Sequence, residues 1–463
     1  MAESSRYDIP QHIKTALSAM GYPNPFSVMR EHINAWADML TSTGEFWDYT
    51  EREGSAQYRV HRRTIHPARR VCTEWASLLL NDKTQIVTES QEVTDWLDDW
   101  ANRSGFWSKG QGLISDAFGL GTAAWGVWVD RDEPSVKLRR YDARMVIPLT
   151  WDDDGVTECA FCTKAYHDGR EIDQLQLHLK EDAGYLIRTL MFDAESGDRI
   201  LLEGVEDELQ TSCETPTFAI VTPAIPNSRV AFSPYGQSVF ADCIDVMQSV
   251  DLCYDAIFKE VDLAKMRVLM SDALYEVERK DGKLNYIPFG KADTTVFRKV
   301  SGSDDFIHEW APSMRTEQQK AAYRLAVQTM GDQCGFGSQY FDIDKSGGIR
   351  TATEVSSDNS ALMRNIRKHE NLLQSAIAQA IRALLYCQRT YCGERLPDEG
   401  EITVMFDDSI ITDTAAEKAQ DMSEVNITMN PWEYREKWYG EDEETAKANV
   451  PGSAEVNPAM FEA

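Results

Sequence analysis

The sequence predicts an α+β protein assembled from several parts, and three observations carry that prediction. Residues 1 to about 120 repeat apolar side chains at helical spacing, and from about residue 122 the pattern becomes short, turn-bounded strands. Three long amphipathic segments follow, interrupted by a small β unit and a glycine-rich stretch. The 463 residues suffice for a large core, and 42% hydrophobic content with 12 tryptophans excludes a disordered chain.

The helical part comes first. In 27–40, Met29, Ile33, Trp36 and Leu40 recur at spacings of three and four, and Val71, Trp75 and Leu79 do the same in 67–80. Segments 93–100 and 112–118 predict two more helices. Arg59, His61, Arg62, Arg63, Arg69 and Arg70 form the densest basic cluster. In so acidic a chain it reads as offsetting neighbouring acids rather than as a DNA contact. Strands are predicted at 123–129, 136–140, 145–148, 157–166, 174–179, 185–192 and 218–221. Asp153-Asp154-Gly155, Asp168-Gly169 and Ser196-Gly197-Asp198 supply turns. This is an antiparallel sheet region packed on the preceding helices.

Pro226-Asn227 and Pro234-Tyr235-Gly236 mark a loop before a long helix over 238–265. Val239, Val246, Val250, Ile257 and Val261 form its apolar ridge. Asp251, Asp255, Lys259 and Asp262 form a polar ridge on another side, a solvated face if the helix stood alone. A small β unit at 267–300 pairs 274–278 with 284–289 around Lys280-Asp281-Gly282-Lys283, where Asp-Gly suits a tight hairpin turn. A helix over 315–330 brings the chain back, so helix, β tip and helix form a projection. The stretch 331–348, with Gly331, Gly335, Gly337, Gly347 and Gly348, reads as a mobile loop. Thr351 and Glu354 then fit a capping box that opens a helix to about 391, with Val355, Leu362, Ile366, Leu373, Ile377 and Leu384 on its core face. A strand at 402–406 follows. The acidic end is helical over 414–425 and 431–448, with its last dozen residues frayed.

Charge and chemistry narrow the function. A net charge of −29 opposes a tight grip on DNA, which needs Lys and Arg on phosphates. It suits a wall past which DNA slides, and equally keeps a large protein soluble. Nine cysteines, an odd number, and one CxxC (Cys159, Cys162) without a second pair of ligands predict reduced thiols and no zinc. No apolar run reaches the roughly 18 residues of a membrane span, and the first residues lack a signal-peptide pattern, so a soluble protein made in a cytoplasm is expected. Asp342-Ile343-Asp344-Lys345-Ser346-Gly347 imitates the start of a calcium loop, but Thr353 stands where the twelfth-position acid belongs. There is no P-loop or HExxH motif, and Phe240 replaces the glycine a nucleophile elbow needs after Ser238. Asp152-Asp153-Asp154 and Asp407-Asp408 read as turn residues. No catalytic residue, metal or cofactor is expected. The alternative is a metal-dependent hydrolase that uses those acidic clusters.

The order of parts resembles a known family. Pro226-Asn227 with Pro234-Tyr235-Gly236-Gln237-Ser238-Val239-Phe240, then Ile244-Asp245 and 251–255, resembles the entry into the stem helix of portal proteins of tailed double-stranded DNA bacteriophages. Thr351-Ala352-Thr353-Glu354-Val355 is similar to the helix start after the family's tunnel loop. Ile402 to Phe406 with Asp408-Ser409-Ile410 and Asp413 resembles its late strand and turn. The likeness runs from about residue 26 to 450 and is greatest to portals of phages of Gram-positive bacteria.

The resemblance implies a multi-domain wing, stem, clip and crown architecture. Residues 1–236 would be wing, 237–265 stem, 266–312 clip, 313–333 the returning stem helix, and 334–351 the tunnel loop. Residues 352–409 would be the long wing helix and late strand, and 410–463 the acidic crown. It further implies a dodecameric ring at one capsid vertex of the virion, assembled in the host cytoplasm. Double-stranded DNA would be packaged and ejected through it without base reading. Terminase and later a head-completion or adaptor protein would dock at the clip, with major capsid and scaffolding proteins as further partners and no membrane. The site residues implied are Gln339, Lys345, Ser346 and Arg350 in the tunnel loop, Asp251, Asp255 and Asp262 facing the channel, and Lys280, Asp281 and Lys283 for docking. Another ring component of the phage head and tail is the second alternative.

Overall fold

The computed structural model describes residues 7–22, 27–53, 56–81, 83–130, 135–201, 207–264, 267–271, 276–280, 283–287, 298–300, 307–341, 352–406, 418, 421–423, 425 and 429–450. The helical part holds α1 (Gln11–Ala19), α2 (Ser27–Thr41), α3 (Pro67–Leu79), α4 (Gln91–Ser104) and α5 (Phe106–Leu120). Pro67 starts α3 at its first turn, where a missing N–H does no harm. Val71, Trp75 and Leu79 are buried as their spacing predicts. Gly105, at φ +65°, ends α4 and turns the chain into α5. Helix α1, a hairpin and the strand at 85–88 escaped the periodicity reading. Helix α1 offers only Ile13 and Leu17 as fully buried apolar positions. The hairpin β1 (Asp48–Glu53) with β2 (Ala56–His61) lies in a stretch read as helical, although β2 alternates Ala56, Tyr58 and Val60 with Gln57, Arg59 and His61.

Two antiparallel sheets follow. The first has the order β12–β4–β5, from Phe218–Val221, Ala123–Asp130 and Ser135–Asp142. The second has the order β10–β9–β8–β7–β6, from Arg199–Ile200, Gly184–Asp193, Arg170–Glu181, Gly155–His167 and Val146–Asp152, and β11 (Glu208–Gln210) also pairs with β9. All seven predicted strands are present. Helix α1 packs Ile13 and Leu17 onto Ile147, Leu175, Leu177 and Phe192 of the larger sheet. Tyr141, Phe161 and Phe218 fill the space between the sheets, with Tyr141 and Phe161 stacked at 4.1 Å.

The projection consists of α6 (Ile244–Leu263), five short strands β13–β17 (Arg267–Ser271, Glu276–Lys280, Lys283–Ile287, Arg298–Val300 and Ile307–Trp310), and α7 (Thr316–Gln333). Strands β14 and β15 form a hairpin in which Lys280 pairs with Lys283, as the Asp-Gly turn predicts. Helix α6 begins six residues later than its periodicity suggests. Residues 238–243 form turns instead, with Phe240 fully buried. Helix α8 (Ala352–Tyr391) runs 40 residues and buries Ile366, Ile377, Ile381, Leu384 and Leu385 completely. Each such side chain contributes roughly 1.5–3 kcal/mol. Strand β18 (Ile402–Met405) pairs with β3 (Gln85–Thr88), tying the late strand to the N-terminal helices. The acidic end holds α9 (Pro431–Tyr439) and α10 (Glu443–Ala448), where one continuous helix was expected; Gly440, at φ +64°, separates them. Thr351 of the predicted capping box and most of the predicted helix over 414–425 lie outside the described residues.

Candidate functional site

The sequence places its functional residues on the α6–tip–α7 projection and on the segment after it. The foot of the projection is rigidly built. The α5 end and the segment before α6 meet backbone to backbone: Gly121 has φ +82°, and a Cβ there would lie 2.6 Å from the Gly236 carbonyl oxygen. Thr122 Oγ1 accepts from the Gly236 N–H at 3.0 Å, and the Val239 N–H donates to the Phe118 carbonyl at 3.0 Å. Asn227 donates through Nδ2 to the Tyr235 carbonyl at 2.9 Å, while the Tyr235 hydroxyl donates to the Val146 carbonyl at 2.8 Å. The Pro-Tyr-Gly-Gln-Ser stretch is therefore a bracket that sets where α6 leaves the body.

Asp251 holds α6 to the body. It is fully buried, and its carboxylate accepts from Trp47 Nε1 at 2.8 Å, Thr64 Oγ1 at 2.6 Å and the Ile65 N–H at 3.0 Å. Asp255, 4% exposed, pairs with Lys259 at 3.1 Å, and Lys259 in turn donates to the Tyr49 hydroxyl at 2.8 Å. The expectation that Asp251 and Asp255 face a channel is corrected here. The Asp251 carboxylate turns toward the N-terminal part, Asp255 pairs with Lys259 one turn along the same helix, and both are satisfied within the chain. Hydropathy equates a buried face with an apolar one, and here the buried face carries two acids that have their own donors. Arg63 lies over the Phe258 ring at 5.0 Å and Arg62 over Phe46 at 4.4 Å, so two members of the basic cluster organise this same junction.

Helices α6 and α7 are clamped at their outer ends. Glu260 accepts from the Arg315 N–H, Nε and a terminal guanidinium nitrogen at 3.2, 3.1 and 2.7 Å, and from Gln319 Nε2 at 3.3 Å. These contacts hold the Glu260 carboxyl below the usual carboxylate range.

At the inner end, the stretch read as a mobile loop is anchored in its first half. Trp75 donates to the Cys334 carbonyl at 3.1 Å, and the Phe336 ring lies 4.6 Å from Trp75. Asn365 donates to the Gly335 carbonyl at 2.9 Å, and the Tyr340 hydroxyl to Glu74 at 2.7 Å. Gly335, at φ +87°, provides a tight turn rather than looseness. Beside this turn, His369 Nδ1 accepts from the Ala224 N–H at 3.0 Å, with its ring against Trp75 and Phe118. Burial pushes its pKa down to about 4, so at neutral pH the ring is neutral.

The remaining predicted positions fall as follows. Gln339 is half-buried in the anchored segment. Asp262 lies on α6, and Lys280 and Lys283 lie on the tip hairpin. Asp281, Lys345, Ser346 and Arg350 lie outside the described residues, as does the rejected calcium loop. Asp152 sits in the β6–β7 turn, where its carboxylate accepts from the Asp154 N–H at 3.0 Å, as a turn residue does. Cys159 and Cys162 are buried free thiols on β7. Among the described residues no group of three or more His, Cys, Asp or Glu side chains could hold a metal ion, and no helix is long and apolar enough to cross a membrane.

Sequence reasoning missed the apolar surface on the projection. Leu252, Phe258, Val261 and Leu263 of α6 are 48%, 40%, 48% and 55% exposed, and Leu325 of α7 is 66% exposed. The signal was present in the sequence: α6 carries more apolar positions than one ridge can bury.

A family model described as "Phage portal protein, SPP1 Gp6-like" matches residues 48–435. No curated protein sequence matches the chain. Among solved structures, a chain of "Virion of native gene transfer agent (GTA) particle" is 12% identical, with a TM-score of 0.38 over 80% of this chain and 87% of that one. A chain of "Neck of native GTA particle computed with C12 symmetry" is 13% identical, with a TM-score of 0.36 over 80% and 88%.

Proposed function

We propose, since this chain belongs to the SPP1 Gp6-like family of phage portal proteins, that copies of it close into a twelve-membered ring at one capsid vertex, with the α6–α7 pairs around a bore for double-stranded DNA. The portal function follows from the family; the ring size, the bore and the residues that line it are our reading. The observation that carries it is the exposed apolar surface of a projection whose foot and outer end are both fixed within the subunit. Solvent-exposed apolar side chains on both helices of such an arm call for a partner, and in a ring that partner is the next subunit.

In this reading the wing is 1–236 with 352–409, the clip is 266–312, and the crown is 410–463. Terminase and then a head-completion protein engage the clip through Lys280, Asp281 and Lys283. Capsid and scaffolding proteins contact the outer parts. Gln339, Lys345, Ser346 and Arg350 line the segment nearest DNA, and Asp262 is the stem acid left for the channel. One lysine and one arginine per subunit make contacts that salt screens easily, suited to phosphates that pass. Base reading and chemical catalysis have no place in this mechanism, and the energy for packaging comes from a separate motor.

Mass measurement and end-on electron microscopy of the purified full-length protein test it. Closed rings with a central hole are expected, and the double variant Leu252→Asp/Phe258→Asp should remain a folded monomer. A parent protein that stays monomeric at high concentration, or a variant that still closes rings, would refute the proposed packing.

A further inference from the structure

The two sheets of the body fork apart and leave a cleft that the portal reading does not use. Strand β6 pairs with β7 only as far as Val146 opposite Phe161, and the last contact is the Cys162 N–H to the Met145 carbonyl at 2.9 Å. Beyond it, β5 diverges with the first sheet while β7 continues with the second. The gap is a cavity of about 590 Å³.

Its lining shows what it is shaped for. Residues 138–142 of β5 all line it, as do residues 163–165 of β7. Side chains alternate faces along a strand, so consecutive residues line a cavity only when the strand's edge, not its face, borders it. Hydrogen-bond directions agree. The Cys162 N–H points to the β6 side, so Lys164 and Tyr166 present their N–H and C=O groups to the same side, past the point where β6 ends. On the other wall the Val127 N–H points away from β5 to the Thr217 carbonyl, which makes Val127 and Leu138 a non-hydrogen-bonded pair, so Leu138 and Arg140 turn their N–H and C=O groups outward. Two open strand edges border one gap.

The charge of the lining is opposite to that of the chain. Arg139, Arg140, Lys109 and Lys164 all reach the cavity. Lys164 is paired with Glu171. Arg139 lies over Trp128 at 3.5 Å and donates to Gln174 at 3.2 Å, and Arg140 donates to the Lys109 carbonyl at 2.8 Å. Neither guanidinium forms an ion pair among the described residues. Gln174, 4% exposed, lines the cavity with its Nε2 donors unpartnered. Two carboxylates share the lining: Asp142, bound to Arg144 at 2.6 Å, and Asp116. The buried Gln174 amide has donors without an acceptor, and no carboxylate among the described residues neutralises the two guanidinium groups beside it, so the gap favours an anionic acceptor.

We propose that this cleft docks an extended, acidic peptide segment of a partner protein, added as a strand along the open edges of β5 and β7 with its carboxylates on Arg139 and Arg140. Backbone pairing supplies affinity and the arginines supply the preference for acid. A DNA duplex is too wide to enter a cavity of this size, and the chain's overall charge repels it. The proposal does not depend on ring formation.

The test uses the full-length protein and a fluorescein-labelled octapeptide of alternating glutamate and valine, followed by anisotropy. Saturable binding is expected, weakened about tenfold or more by Arg140→Glu. Methylating alternate peptide amides on the edge-facing side should abolish it, and a lysine–valine counterpart should not bind. Lys164→Glu serves as a second variant if the first does not fold. No saturable binding, or binding unaffected by both charge reversals, would overturn the assignment. So would displacement by inorganic phosphate or duplex DNA at matched charge together with indifference to amide methylation, which would mark a general oxyanion site.

Discussion

Replacing Asp251 with alanine separates two pictures of the stem helix. A carboxylate that lines a bore is solvated, and its removal leaves the folding of the subunit nearly unchanged. The carboxylate observed is buried and takes three hydrogen bonds, from Trp47, Thr64 and the Ile65 backbone. Hydrogen bonds to a charged group contribute about 1.5–3 kcal/mol each, and a buried donor left alone costs about 1–3 kcal/mol. Thr64 Oγ1 can fall back on Ser42 Oγ, 3.0 Å away. The Trp47 indole and the Ile65 N–H would lose their acceptor. The sum is about 3–5 kcal/mol for Asp251→Ala, within the range for breaking one side of a buried charged contact. Asp251→Asn keeps one acceptor oxygen and should cost about half as much. Urea unfolding followed by tryptophan fluorescence reads both, with midpoints compared at equal slope. If both variants unfold within about 0.5 kcal/mol of the parent, the buried anchor is refuted and the channel-facing position returns.

Three further outcomes follow from the same geometry. His369 has a folded pKa of about 4 against an unfolded value near 6.5, so the unfolded chain takes up a proton that the folded chain refuses. Its contribution is unchanged above about pH 6.5 and is lost as pH falls toward 4, by roughly 3 kcal/mol. Asp116, pushed up to about 6 by burial and by Asp142, acts in the opposite sense, so the check is the difference between two pH profiles: from pH 6.5 to 4, His369→Gln should lose roughly 3 kcal/mol less stability than the parent. Gly335→Ala, forced to a positive φ with Asn365 3.1 Å from the new Cβ, should lose about 1–2 kcal/mol in thermal melts. Glu260→Gln removes the charge that holds Arg315 and should speed amide hydrogen exchange over 316–320 without altering exchange in α8.

Most elements could be read from the sequence because their burial was simple. Strands that pack one face, and α2, α3 and α8 with apolar residues three and four apart, are one-sided objects, and periodicity detects one-sidedness. The failures have specific causes. The β1–β2 hairpin lies in a stretch read as helical, yet it supplies Tyr49 for Lys259 and leads into the Thr64 that holds Asp251. The glycines after α7 were read as looseness, whereas Gly335 and Gly337, at φ +87° and +83°, shape a turn that seats Phe336 in the core. The ridge of acids on α6 was assigned by analogy with a channel wall. Local spacing cannot show that an indole from residue 47 lies opposite residue 251.

The exposed leucines and the buried aspartates of α6 reverse the ordinary rule, and the reversal has one economical explanation. A helix that packed only within its own subunit would place Leu252 and Val261 inward and leave Asp251 to water. Here the acid is turned inward and given three donors, which fixes the helix rotation more sharply than apolar packing would, because hydrogen bonds tolerate little angular error. Apolar contacts are non-directional and adapt to whatever surface arrives. A subunit that must join identical neighbours at a set angle gains from this division: directional polar contacts hold the arm within the chain, and non-directional ones remain available outside it. The Gly121–Gly236 contact extends the argument to the foot, since two backbones without intervening side chains leave little room for the arm to tilt.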